Sequence, residues 1–191
     1  MEEYIKKLNK KLPTIKDEEL KELIQKLIGE RQNLSDSAKI DELTGLYNRK
    51  KLDDVNEYSA VVLCDVDNFK NINDSYGHDI GDKVLKFVGD CLKSNTRTND
   101  IVCRYGGDEF LIIFKSCPFK VVVDRMSKIE AAMITISKKV GFDVSLSIGI
   151  SEYKAKDTLD KSIINADKAL YYSKKHGKKQ LSIYDEIKDL K

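Results

Sequence analysis

Short apolar runs enriched in β-branched residues alternate along this chain with longer stretches whose apolar residues recur at helical spacing, and this order limits what the chain can fold into. AVVLCDV (60–66), IVCRY (101–105) and EFLIIFK (109–115) have strand length, and the last two are separated by Gly-Gly-Asp, which reads as a hairpin turn. DVSLSIGIS (143–151) and LSIYD (181–185) add two further strands. Between them, Val84, Leu85, Val88, Cys91 and Leu92 mark a helix over 81–94, a second covers about 118–139, and Leu159, Ile163, Ala166, Ala169 and Leu170 mark a third over 158–175. Strands mixed with helices and a hairpin predict an α+β sheet with helices packed on it, not a purely parallel doubly wound sheet.

The first forty residues differ, being rich in Lys, Glu and Leu with no strand-like run. They predict a helical segment over 1–40 ahead of a domain over 41–191. Leu12-Pro13-Thr14 interrupts that segment, with Thr14 and Asp17 as a candidate capping box. Leu20, Ile24, Leu27, Arg31, Leu34 and Ala38 then form a short heptad seam, which suits either packing on the chain's own domain or a coiled coil with a second copy.

Apolar runs here fall well short of the roughly 18 residues a membrane-spanning helix needs, and MEEYIKK lacks an apolar signal core. The expectation is a cytoplasmic protein with no membrane span. Thirty-four Lys and Arg against 32 Asp and Glu leave a net charge of +2, which offers no global field for a nucleic-acid polymer or an anionic membrane. Anion recognition must therefore be local. Cys64, Cys91, Cys103 and Cys117 include no C-x-x-C pair and read as reduced, small buried hydrophobes.

The chemistry concentrates at strand ends. Asp65-Val66-Asp67 closes the first strand with two carboxylates, which suit a hard cation such as Mg²⁺, although Asp after a strand is also a common turn or N-cap residue. Arg104-Tyr105-Gly106-Gly107-Asp108-Glu109-Phe110 adds a glycine turn and two more acids. Two acidic strand ends in one small sheet can converge on a pair of cations, the usual arrangement for phosphoryl and nucleotidyl transfer.

These residues carry a family resemblance. Gly106-Gly107-Asp108-Glu109-Phe110 is the signature of the GGDEF domain, the diguanylate cyclase family. Asp41-x-Leu43-Thr44-Gly45-Leu46-x-Asn48-Arg49 resembles the family's opening segment, Asp65-x-Asp67-x-Phe69-Lys70-x-x-Asn73-Asp74 its metal and base-binding stretch, and Gly77-His78-x-x-Gly81-Asp82 the continuation. Ala166-Asp167-x-Ala169-Leu170-Tyr171-x-Ser173-Lys174-x-x-Gly177-Lys178-Lys179 resembles the family's C-terminal motif, with Ser173, Lys178 and Lys179 where Ala, Arg and Asn are usual.

The resemblance implies a ferredoxin-like core, similar to polymerase palms and nucleotidyl cyclases, that condenses two GTP into cyclic di-GMP and releases two pyrophosphates. It implies Mg²⁺, with Mn²⁺ as a substitute, held by Asp65, the main-chain carbonyl of Val66 and Asp108. Asp108 is also the implied acceptor of the ribose 3′-OH proton. Asn73 and Asp82 match guanine contacts, and a carboxylate at 82 accepts from guanine's N1–H and amino group, an edge that adenine lacks. Asp82 accordingly disfavours a hybrid cyclase that takes ATP. His78 matches a substrate-proximal position, while Lys174 and Lys178 would face the β and γ phosphates. Lys at 178 offers a point charge in place of Arg's bidentate fork, so GTP affinity is expected to be lower.

Arg97-x-x-Asp100, with five residues between it and Gly106, sits at the spacing of the family's inhibitory site for its own product, and Arg125 is a candidate second arginine. The expected partners are GTP, cyclic di-GMP and a second copy of the chain, since each domain holds one GTP. The competing expectation is a catalytically silent domain that binds cyclic di-GMP as a receptor through Arg97 and Asp100.

Overall fold

A computed structural model describes residues 2–15, 17–55, 57–154 and 156–190, and the chain divides into two units, Met1–Ile40 and Asp41–Lys191. In the first unit, α1 (Glu2–Lys11) runs into a 3₁₀ turn (Leu12–Thr14), and α2 spans Glu18–Ser37. The two residues of the expected capping box serve different helices. Thr14 Oγ1 donates to the Lys11 carbonyl at 2.6 Å and closes α1, whereas Asp17 Oδ1 accepts the Leu20 N–H at 3.1 Å and caps α2. Leu20, Leu23 and Leu27 are exposed on α2, and the Arg31 and Leu34 side chains of the expected seam lie outside the described residues.

The second unit is built on six strands: β1 (Tyr47–Asn48), β2 (Ala60–Val66), β3 (Ile101–Arg104), β4 (Glu109–Phe114), β5 (Leu146–Glu152) and β6 (Leu181–Ile183). They lie in the order β1-β3-β4-β2-β5-β6. The outer pairs β1–β3 and β5–β6 are parallel, and the inner pairings are antiparallel. Around the sheet lie α3 (Phe69–Tyr76), α4 (His78–Ser94), α5 (Phe119–Val140), α6 (Leu159–Lys175) and α7 (Tyr184–Ile187). This is the α+β sheet with surrounding helices that the alternating pattern anticipates.

Three local differences have physical causes. α3 is mostly polar and buries only Ile72, so it carries too little apolar periodicity to be read as a helix. Tyr184 and Asp185, expected in the last strand, instead open α7. β5 begins at Leu146, not at Asp143, because the preceding segment bends where Val144 and Ser137 exchange hydrogen bonds.

Both faces of the sheet are buried, which explains the unbroken apolar character of β2. On one face Val62, Cys64, Val66, Phe110, Ile112 and Ile148 pack against Val84, Leu85, Val88 and Leu92 of α4 and Val122, Met126, Ile129 and Met133 of α5. On the other, Val61, Leu63, Leu111 and Ile113 pack against Ala166 and Leu170 of α6. Each Val, Leu, Ile, Phe or Met among these, fully buried, contributes about 1.5–3 kcal/mol. Side chains alternate along a strand, so Asp65 and Asp67, in step with Val61 and Leu63, fall on the α6 side.

Gly149 of β5 sets how close α6 comes. A Cβ there would collide with the Ala166 carbonyl and the Leu170 backbone, groups that cannot swing aside as a side-chain end can. Gly149→Ala is therefore expected to destabilise the fold by about 3 kcal/mol or more, read as a lowered urea midpoint with an unchanged m-value.

Candidate active site

The end of β2 gathers four carboxylates. Asp65 lies directly opposite Glu109 in the β2–β4 ladder, and the Val66 N–H donates to the Asp108 carbonyl at 3.2 Å. A strand residue's N–H and C=O point the same way, so the Val66 carbonyl also faces Asp108. Like charges placed across a ladder repel. Burial, reinforced by Asp108 and Glu109 and opposed by Lys174, pushes the Asp65 carboxyl up to about 6. Lys174, from the last turn of α6, reaches it at 2.7 Å. Lys174 and Glu109 also line a cleft of about 230 Å³ with Asp167, Leu170 and Tyr171.

Asp67 behaves differently although it is only two residues away. Its buried carboxylate accepts the Ser145 hydroxyl at 2.7 Å, the Ser147 hydroxyl at 2.6 Å and the Lys179 N–H at 3.1 Å. The two aspartates thus divide the work, Asp65 facing the acid cluster and Asp67 fixing the chain.

Arg104 clamps the glycine turn. Its Nε and Nη2 donate to the Gly107 carbonyl at 3.0 and 2.7 Å, and Nη1 lies 3.3 Å from Asp41 Oδ2. Burial works against the Asp41 charge, but hydrogen bonds from the Thr44 hydroxyl and N–H, with Arg104 beside it, hold its carboxyl below the usual value. Only spatial proximity, not sequence spacing, reveals this clamp.

α3 and α4 form a second wall. Gly81 lets them approach so closely that a Cβ there would collide with the Asn73 amide and lie 3.2 Å from the Phe69 ring. The Asn73 Oδ1 is buried with no hydrogen-bond donor on it. His78, the first residue of α4, and Asp82, one turn further on, are both exposed. A buried acceptor beside an exposed carboxylate is a surface suited to a ligand edge rich in donors.

The segment after α6 supplies the cations. Gly177, Lys178 and Lys179 have φ of 113°, 61° and 47°, a left-handed run that costs about 1–2 kcal/mol at each non-glycine residue and persists only when neighbouring groups fix it. The Lys178 N–H donates to the Ser173 carbonyl at 3.0 Å, and its Nζ reaches Asn68 Oδ1 at 2.6 Å.

The Arg97–Asp100 pair is built as a turn. Asp100 accepts the Arg97 N–H at 2.8 Å and the Lys115 N–H at 3.1 Å, with Arg125 Nη1 3.6 Å away. Its side chain is wholly buried while Arg97 is exposed, so the carboxylate shapes the turn and the guanidinium points to solvent.

A family model described as "Diguanylate cyclase, GGDEF domain" matches residues 38–180. The chain belongs to that family. The GGDEF chain is 38% identical over 167 residues to the uncharacterized protein YtrP of Bacillus subtilis, covering 83% of this chain and 28% of YtrP. It is 38% identical over 144 residues to diguanylate cyclase A of Treponema denticola, covering 72% of this chain and 38% of that protein. It therefore spans well under half the length of these curated relatives. Among solved structures, the coiled coil and GGDEF domain of DgcB from Caulobacter crescentus, in complex with c-di-GMP, matches with a TM-score of 0.75 at 25% identity, covering 86% of this chain and 95% of that one. SiaD of Pseudomonas aeruginosa, in complex with its activator SiaC, matches with a TM-score of 0.70 at 26% identity, covering 95% and 75%.

Within the GGDEF domain, two carboxylates and one carbonyl at the end of β2 and the start of β4 are hard oxygen donors, a set that fits Mg²⁺, which typically takes one or two carboxylates and fills its remaining positions with phosphate and water. Burial raises the Asp65 carboxyl, and the Asp108 and Glu109 charges add to the rise, so the unfavourable negative charge gathered here favours a cation. Among the described residues no cluster of three or more acidic, His or Cys side chains forms an all-protein cage. Cys64, Cys103 and Cys117 are buried free thiols, and burial pushes the Cys103 thiol up to about 12. No helix among the described residues is long and apolar enough to cross a membrane.

Because folding raises the Asp65 pKa from 3.8 to about 6, the folded chain binds this proton more tightly than the unfolded chain, and stability is lost as pH climbs through that window. Asp65→Asn is expected to be more stable than the parent by about 1–2 kcal/mol at pH 7.5, with the difference closing towards pH 4. Urea midpoints at both pH values in EDTA-containing buffer measure it.

Proposed function

We propose that this chain is a diguanylate cyclase that joins two GTP into cyclic di-GMP. The observation that carries the reading is the convergence of Asp65, the Val66 carbonyl and Asp108 at one corner of the sheet, with Lys174 beside them and the Asn73–Asp82 wall on the flanking helices. GGDEF diguanylate cyclases use a divalent metal, and Mg²⁺ held by Asp65, the Val66 carbonyl and Asp108 would neutralise triphosphate charge and render the α-phosphorus electrophilic.

The protein groups do the rest. Asp82 and Asn73 accept the donors on guanine's edge, and His78 borders the nucleotide. Lys174 and Lys178 meet the β and γ phosphates, Lys178 as a point charge. Asp108 accepts the proton of the attacking 3′-OH. The 3′-oxygen of each GTP bonds to the α-phosphorus of the other, the bond from that phosphorus to the bridging oxygen breaks, and pyrophosphate departs from each. One domain binds one GTP, so two copies must face each other, with residues 1–40 as the pairing segment and 41–191 as the catalytic domain. The exposed Leu20, Leu23 and Leu27 of α2 support that pairing.

The named diguanylate cyclases among the relatives support the activity, and the c-di-GMP complex of DgcB supports product binding. Cyclic di-GMP would inhibit by stacking on and forking to Arg97, with Asp100 bracing the turn and Arg125 beneath it. Nucleotide-stripped protein given GTP and Mg²⁺ is expected to yield cyclic di-GMP, with ATP left unused in competition and with rates rising more steeply than protein concentration. Asp108→Ala should reduce formation by at least about a thousandfold, as chromatography of the products would show. A parent protein that binds cyclic di-GMP yet turns over no GTP would instead mark a receptor. In the active protein, Arg97→Ala is expected to abolish product inhibition, so that progress curves stay linear where the parent's bend.

A further inference from the structure

We propose that Asp67 is a positioning residue for nucleotide binding, holding the left-handed Lys178–Lys179 turn so that the Lys178 ammonium is aimed at the loop where β2 passes into α3. This rests on the reading of Lys178 as a phosphate partner. In the sequence, D-x-D looks like two equivalent candidate ligands for a metal. In the fold they are not equivalent, because the Asp67 carboxylate is buried and already accepts from Ser145 Oγ, Ser147 Oγ and the Lys179 N–H.

The bond to Lys179 is the one that matters for the nucleotide. Lys178 and Lys179 both occupy positive φ, a conformation that side-chain-bearing residues leave unless something holds them. One restraint is the Lys178 N–H on the Ser173 carbonyl, and Ser173 is itself fixed by its hydroxyl to the Ile148 carbonyl at 2.8 Å and to Ser182 Oγ at 2.7 Å. A second is Asp67, which grips the far end of the same turn, where Lys179 Nζ also reaches Asp143 at 3.2 Å and Gln180 Nε2 donates to the Ser173 and His176 carbonyls. From this turn the Lys178 side chain is directed to Asn68, the residue that follows Asp67, with Nζ 2.6 Å from Oδ1. Asp67 therefore ties together both strands of chain that would flank a triphosphate. A charged acceptor is stronger than a neutral one, and with Ser145, Ser147 and the Lys179 N–H three of the carboxylate's roughly four acceptor sites are already occupied.

The test is equilibrium titration of the full chain with a non-hydrolysable α,β-methylene analogue of GTP and Mg²⁺. Asp67→Asn is expected to weaken binding about tenfold and Ser145→Ala about threefold, with both effects vanishing in a Lys178→Ala background because they act through that side chain. Ser145 is only half-buried, so its variant keeps the test available if Asp67→Asn does not fold. Full effects persisting in the Lys178→Ala background would show a general structural role and overturn the proposal, as would parental affinity in both Asp67→Asn and Ser145→Ala. Parental affinity in Lys178→Ala itself would remove the phosphate reading of that residue, a separate failure that also overturns the proposal.

Discussion

Where α6 meets β5, backbone lies against backbone at Gly149, and the positions of Lys174 and of the lysines that follow α6 depend on that contact. A helix seated one methyl group further from the sheet would carry Lys174 away from Asp65 and lift the turn after Gly177 off Asp67. The apolar packing of Ala166 and Leu170 on Val61, Leu63 and Leu111 supplies the driving force, and the missing side chain at 149 supplies the clearance. Core packing and nucleotide chemistry are in this sense one arrangement, since the strand that is buried on both faces also ends in the acids.

Those acids are held against their own repulsion. Asp65 is buried opposite Glu109 and close to Asp108, an arrangement that folding alone disfavours, and its carboxyl is raised first by that burial and then by the two neighbouring charges. Lys174 offsets part of it. A region that is electrostatically uncomfortable when empty of divalent cation is well prepared to bind one, which is the familiar exchange of stability for function at a reactive centre.

The sequence was most legible where a single period dominated. β2, β4 and α6 follow directly from their apolar patterns, and the glycine pair announces the turn that carries Asp108. β1 is two residues long and leaves no period to read, α3 buries only Ile72, and Tyr184 looks like a strand residue because it is aromatic and follows Ile183. The site was legible in its residue types and order, but not in its division of labour. Asp67 and Asp65 look alike in D-x-D, and the serines that distinguish them lie about eighty positions along the chain. Asp100 likewise reads as a recognition carboxylate, yet its partners are the Arg97 and Lys115 amides and Arg125.

The paired left-handed lysines after Gly177 also bear on how the domain opens. Unfolding of the sheet requires exposing both cores, whereas releasing this turn breaks a few hydrogen bonds and relieves unfavourable backbone angles at the same moment. The free energy of that local excursion lies well below the global value. Amide protons of Lys178 and Lys179 should then exchange with solvent far sooner than those of β2, and the phosphate side of the domain can loosen and re-form while the strand that bears Asp65 stays intact.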